Sequence, residues 1–369
     1  MRRHRSAAGP LAVVYLLLVA YASLYPFERW SWPAGADAAQ LLVLPWPPWR
    51  DRFDEWANFA GYVPLGMVLF AFVARNGGST ARAWLAGLLM PALVSYGCEF
   101  TQHFIPGRFP TLRDWALNTA GAAAGTALAW ALMALGLFDR WQRVRERWFV
   151  PDSAGAIVLL LLWPVGLLFP APVPLGMGQV FHELRAWAEM AVSGTPFAAD
   201  LASWLEPLPA PARPLTASRE TLAIALGMLA PCLLAAVATR PGWRRFVLAP
   251  GAALLALSTM TLSTALNFGP VHATTWLTPA TLPAIAGAVA LALLFAPAGP
   301  RLTAALGLVV LTALVIVVAE APADPYYAAS LKGWEAGRFI RFHGLAQWIG
   351  WLWPYAAMAW LVQRLGRRD

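Results

Sequence analysis

Ten apolar runs punctuate the chain, at 10–26, 57–74, 83–100, 114–137, 154–173, 221–239, 246–266, 274–296, 302–320 and 344–363. A bilayer's hydrocarbon core is ~30 Å thick and takes about 20 helical residues, so these runs suffice to span it with modest tilt. Inside lipid every backbone N–H and C=O must bond within its own segment, so such runs fold as helices. The expected class is all-α, a polytopic integral membrane helical bundle of about ten transmembrane helices. Composition bears on the same point. Of 369 residues 59% are hydrophobic and 12% are charged, about half the roughly 25% charge of a soluble domain. A soluble enzyme, a nucleic-acid binder and a disordered chain are set aside on that ground.

The net charge of +8 comes from 27 basic against 19 acidic residues, and every basic residue but Lys332 is arginine. These arginines sit in short segments between apolar runs, the pattern of the positive-inside rule rather than of a nucleic-acid surface. With the N-terminus inside, 16 of the 27 basic residues fall on the inner side, among them Arg2, Arg3, Arg5, Arg140, Arg143, Arg145 and Arg147. Ten spans then give an N-in, C-in topology. Ala20-Tyr21-Ala22 also fits a signal-peptidase site behind the short first run. Cys98 and Cys232 lie in apolar stretches and imply neither a disulfide framework nor a zinc site.

Three stretches follow along the chain. Residues 1–137 hold four spans, 138–153 form a basic inner loop, and 154–369 hold six spans with a long outer loop at 174–220. Tryptophan prefers the membrane interface, so the Trp- and Pro-rich segment 27–56 is expected on the outer leaflet. A helical stretch from Gln179 to Val192 is expected to be interfacial.

Ionisable residues within spans cost ~2.5–3.5 kcal/mol each on insertion scales, so their placement carries information. They gather at the outer ends of the second, third and fourth spans. The second opens with Asp54, Glu55 and Asn58, then Tyr62-Val63-Pro64-Leu65-Gly66. The third ends with Glu99, Gln102 and His103; Pro106-Gly107-Arg108-Phe109-Pro110 connects it to the fourth. The fourth opens with Arg113 and Asp114, followed by Asn118, Gly121 and Gly125. Glu99 and Gln102 share a helix face, as do Asp114 and Asn118. Gly121 and Gly125 form a GxxxG pattern, which lets a second helix approach closely.

The order E-x-x-Q, P-G-R and D-x-x-x-N-x-x-G, with Asn58, Pro64-Leu65-Gly66 and Tyr25-Pro26-Phe27 ahead of it, resembles the VanZ-like family. The resemblance covers about residues 10–137. The family takes its name from an accessory protein of glycopeptide-resistance clusters linked to teicoplanin resistance. It implies the bacterial cytoplasmic membrane and a role at the cell envelope rather than a defined reaction. One departure is that Asp54 and Glu55 stand where many members carry Lys or His. The six-span remainder carries no such resemblance.

Two readings of the constellation stand side by side. In one, Arg108 is held between Glu99 and Asp114 in an ion-pair network that fixes the hairpin between the third and fourth spans. In the other, a polar pocket opens at the outer leaflet toward membrane lipids or a lipid-linked envelope precursor. There Arg108 grips an anion through its planar fork, with Gln102, Asn58, Asn118 and Tyr62 as neutral partners. Glu99, Asp114 and His103 are then the candidates for proton transfer if the site performs chemistry on such a precursor. Arg338, Arg341 and His343 form a second candidate anion site, with interfacial anchoring as the alternative. A transporter requires broken helices, for which Pro64, Pro91, Pro164, Pro231, Pro279 and Pro283 are candidates, but no midplane charge accompanies them. A purely structural membrane role is the fourth reading. His182-Glu183 lacks the second histidine of a zinc motif, so no metal and no cofactor is expected. The sequence sets no oligomeric state.

Overall fold

Lipid leaves apolar runs no alternative to helix, and helix is what the computed structural model contains. It describes residues 8–24, 30–33, 35, 37–48, 52–193, 195, 203, 215–321 and 340–366. The helices are α1 (Ala8–Leu24), the single turn α2 (Ala38–Leu41), α3 (Arg52–Arg75), α4 (Thr80–Gln102), α5 (Leu112–Ala134), α6 (Leu137–Trp148), α7 (Ala154–Leu167), α8 (Val180–Val192), α9 (Ala217–Ala238), α10 (Trp243–Phe268), α11 (Thr281–Leu294), α12 (Pro300–Ala319) and α13 (Ile340–Leu365). Among the described residues the only β pairing is one isolated bridge, Phe149 with Thr239. The chain is an all-α membrane protein.

All ten apolar runs fall on helices. Five of these, Asp54–Arg75, Thr80–Gln102, Ala217–Ala238, Trp243–Phe268 and Pro300–Ala319, are long and apolar enough to cross a bilayer by length and composition. The pair Leu112–Ala134 and Leu137–Trp148, bent by 73°, makes a sixth if it counts as one span. Ala8–Leu24, Ala154–Leu167 and Thr281–Leu294 are apolar but shorter. Two runs shrink for local reasons. Pro170, Pro172 and Pro174 end α7 well before the run stops, because proline neither donates nor lets its predecessor stay helical. At 274–296 the chain makes turns before Thr281, whose side chain accepts from the Thr278 N–H at 3.0 Å. Pro64, Pro91, Pro164 and Pro231 lie inside continuous helices and break none of them. The basic segment expected as a loop at 138–153 is largely helical, as α6. Gly136, in the left-handed region at φ 67, turns the chain out of α5, and an Arg- and Trp-rich amphipathic helix follows.

Two units divide the chain, residues 1–147 and 148–369. In the first, α3 and α5 pack most extensively, with α4 against both and α1 along α3. Glycine makes the α3–α5 contact possible. A Cβ at Gly121 would collide with the carbonyl oxygen of Phe59, one at Gly125 with that of Val63, and one at Gly66 with that of Ala122. The two backbones therefore touch along one seam. Lipid tails give no hydrophobic drive for helices to associate, so close contact of this kind supplies the dispersion that holds them. The Tyr15 hydroxyl donates to the Gly61 carbonyl at 2.8 Å and ties α1 to the same helix.

In the second unit α9 is the axis, packed by α7, α10, α11 and α12, with 78% of its apolar window buried. Arg245 is buried at the start of α10, where its guanidinium donates to the carbonyls of Thr239, Ala296 and Ala298. A cation there meets the carbonyl ends of α9 and α11, which the helix dipoles favour. Residues 168–179 are not helical yet are largely buried, and Leu175 sits at φ 61 with no exposure. A non-glycine residue held there costs ~1–3 kcal/mol, so surrounding contacts fix it.

Gly121→Leu puts a side chain into the Phe59 carbonyl and is expected to lower the melting temperature sharply, as overpacking costs ~1–3 kcal/mol or more. Gly97→Ala, with open space around it, is expected to hold or raise stability by ~0.5–1 kcal/mol. Thermal melts of both purified variants in one detergent check the opposite signs.

Candidate functional site

The polar end of the first unit is where α1 and α4 finish and α3 and α5 begin. The first residues of α5 organise it. Thr111 is the N-cap, and its hydroxyl accepts from the Asp114 N–H at 3.0 Å. In a capping box the residue at Asp114's position would bond back to the Thr111 N–H. Here Glu99 does so from α4, its Oε2 accepting that N–H at 2.8 Å, and Glu99 itself is only 4% exposed. This leaves Asp114 free to accept from Asn58 Nδ2 of α3 at 2.8 Å. One helix start thus couples three helices through two carboxylates. Gln102 reaches α1, donating to the Ser23 carbonyl at 2.9 Å.

Below this layer the cluster continues inward. Asn118 Nδ2 donates to Ser95 Oγ at 2.9 Å, and both residues are buried. Asn118 Oδ1 and the Tyr62 hydroxyl are buried without a hydrogen-bond partner, although the Ser95 and Ser23 side chains lie near Tyr62. Asp114 and Asn118 share a helix face but address different neighbours, α3 and α4 respectively.

Arg108 sits half-buried on the connection between α4 and α5, where Gly107 at φ 80 makes the turn. Its N–H bonds to the Ile105 carbonyl at 3.1 Å, and its charge acts on Glu99. The Glu99 carboxylate accepts a backbone amide of the α5 start, so it caps that helix while Arg108 acts on its charge. His103 stands apart from these carboxylates; its Nδ1 lies 3.2 Å from the Phe100 carbonyl, at the end of its own helix. Among the described residues no group of His, Cys, Asp and Glu could hold a metal ion.

Sequence reasoning missed three contributors, Thr111, Ser95 and Ser23, and gave Arg113 no partners. Thr111 was readable as an N-cap from the T-x-x-D spacing. Ser95 gave no signal in its apolar run. Ser23 acts through its carbonyl, which no side-chain pattern reveals. Arg113 lies 3.7 Å from Glu55, donates to the Pro47 carbonyl at 3.1 Å and stacks over the Trp46 ring at 5.2 Å. With the Leu112 N–H on the Pro45 carbonyl, the Tyr96 hydroxyl on the Leu42 carbonyl and the Ser31 N–H on the Phe104 carbonyl, it straps described parts of segment 30–48 across the hairpin. Trp32, Trp46, Trp56 and Phe109 are exposed around this end, as interfacial anchors are. Of the second candidate anion site, Arg338 and the side chains of Arg341 and His343 lie outside the described residues. The His182 and Glu183 side chains do too.

Glu99→Gln keeps an oxygen for the Thr111 N–H, whereas Glu99→Ala leaves that buried amide unpaired. Glu99→Ala is expected to cost ~1–3 kcal/mol and Glu99→Gln clearly less. Equal melting temperatures for the two variants would contradict the capping role.

Residues 12–134 match the family model described as VanZ/LLP1. No curated protein and no solved structure matches the chain. The matched stretch runs from α1 through α5 and carries each residue of the polar end, from Ser23 to Asn118. The match covers a third of the chain, and over that stretch the protein is similar to the VanZ-like family.

Proposed function

We propose that the polar end of the first unit binds an anionic, amphiphilic molecule of the cell envelope at the outer leaflet of a bacterial cytoplasmic membrane. The observation that carries this reading is unmet hydrogen-bonding capacity at Tyr62 and Asn118, at the same end of the bundle as the cation Arg108. Buried polar atoms are nearly always paired, and one left open marks a place where a missing partner would bind. Arg108 suits a phosphate or carboxylate, because its guanidinium offers parallel donors to two oxygens. The exposed rings of Trp46, Trp56 and Phe109 offer the apolar tail an interfacial seat.

In this reading Glu99 and Asp114 hold the frame. Asn58 and Gln102, already bonded to Asp114 and to the Ser23 carbonyl, line the frame beside the ligand. A wall precursor, or a lipoglycopeptide such as teicoplanin itself, fits this description. Sequestering either would alter sensitivity to the drug.

The test compares wild type with Arg108→Ala, both purified in detergent, by native mass spectrometry with phosphatidylglycerol as the anionic probe. Arg108→Ala is expected to melt close to wild type and to bind the probe at least tenfold more weakly. Equal retention by both proteins, or no retention by wild type, would overturn the reading.

A further inference from the structure

The opposite end of the first unit, where α3 and α5 finish and α4 begins, carries a surface of a different kind. α5 ends at Ala134, Gly136 turns the chain, and α6 leaves at 73° to α5. A helix at that angle to a spanning helix runs close to the membrane plane. One side of α6 is anchored to the unit. Phe138 packs against the cluster of Phe70, Ala83 and Ala129. Arg75, at the end of α3, donates to the Gln142 side chain. Arg145, only 2% exposed, completes this side. Phe138, Gln142 and Arg145 follow an i, i+4, i+7 spacing and so share one face.

The remaining arc of the helix is exposed and ordered into three stripes. Trp141 and Val144, 50% and 43% exposed, form an apolar edge. Beside them run Arg140, Arg143 and Arg147, all exposed and spaced i, i+3, i+7. Beyond the arginines lie Asp139 and Glu146, also exposed. At about 100° per residue the stripes follow one another round the helix as apolar, basic and acidic. Arg82 at the start of α4 and Trp130 near the end of α5 are exposed at the same end of the unit.

We infer that α6 binds the headgroup surface of anionic phospholipids on the inner leaflet. With the helix in the interface, Trp141 and Val144 dip below the headgroups, the three arginines reach the phosphates, and Asp139 and Glu146 face water. The order of the stripes selects this occupant. Arginines next to an apolar edge can extend along it and keep their charge at phosphate level. Tryptophan is the side chain that favours this depth. Anionic lipids attract each arginine held near the surface, which a zwitterionic surface does not do. A second copy seated on the apolar edge would cover two exposed apolar side chains, far less than a stable protein interface buries. The surface lies at the other end of the unit from Arg108 and does not depend on the site proposed there.

The experiment places the full chain in nanodiscs of phosphatidylcholine alone or of phosphatidylcholine mixed equally with phosphatidylglycerol. Hydrogen exchange of the α6 amides reads how firmly the helix is held. Exchange in wild type is expected to be at least tenfold slower in the phosphatidylglycerol discs. In about 1 M salt, which screens charge beyond ~3 Å, the difference should largely vanish. The triple variant Arg140→Gln, Arg143→Gln, Arg147→Gln is expected to exchange alike in both discs. It should melt like wild type, because all three side chains are exposed. Trp141→Gln, which keeps the charges and removes the apolar edge, should shrink the lipid effect severalfold. Equal exchange of wild type in the two lipids, a difference that survives high salt, or an undiminished effect in the triple variant would each overturn the assignment. Protection that is equal in both lipids and rises with the number of copies per disc would give the face to a second copy and overturn it too. Arg108→Ala should leave the α6 effect unchanged. The triple variant should still retain a single phosphatidylglycerol in detergent, since α6 meets a surface of many headgroups rather than one bound lipid.

Discussion

Contact between the backbones of α3 and α5 is the constraint on which the first unit depends. Gly121, Gly125 and Gly66 leave no side chain between the two helices, and the carbonyls of Phe59, Val63 and Ala122 occupy the space instead. In water such a seam would be a modest gain beside hydrophobic burial. In lipid it is a main source of cohesion, together with the polar bonds it brings into register. The seam sets Asn58 of α3 beside Asp114 of α5, and α4 then closes on α5 through Glu99 and Ser95. The polar end is a consequence of small residues deeper in the bundle.

The charges at that end have a dual character. Glu99 and Asp114 read equally well as reactive groups or as struts. Their partners, a helix-cap amide and an asparagine, make them struts first. Free capacity lies elsewhere, on Tyr62 and Asn118, neutral side chains that a search for catalytic acids passes over. The binding reading proposed above rests on that arrangement, charged struts around neutral hydrogen-bonding groups with Arg108 at the same end.

Much of this was legible in the sequence, for reasons that differ by residue. The helices follow from apolar runs that lipid allows no other way to fold. Gly121 and Gly125 were readable because their spacing alone makes a flat face, and the clustering of Glu99, Arg108, Asp114 and Asn118 because charge in a span is costly. Partner choice was not readable. Asp114 and Asn118 lie on one face, yet turn to different helices, since that face sits in the groove between α3 and α4. Residues 168–173 read as the end of a span because they are as apolar as a helix, and 174–179 read as an outer loop although the structure buries them. Prolines at 64, 91, 164 and 231 were candidate breaks for a transporter and mark none. A single proline costs one backbone bond, which neighbouring helices in a bundle compensate.

The central claim is that the start of α5 holds its neighbours by specific polar bonds, and a double-mutant cycle between Asn58 and Asp114 tests it most directly. Asn58→Ala, Asp114→Ala and the double variant would be melted beside wild type in one detergent. A direct bond predicts a coupling energy of roughly 1 kcal/mol or more, with the second substitution costing little once the first is made. Strict additivity of the two substitutions would contradict the account.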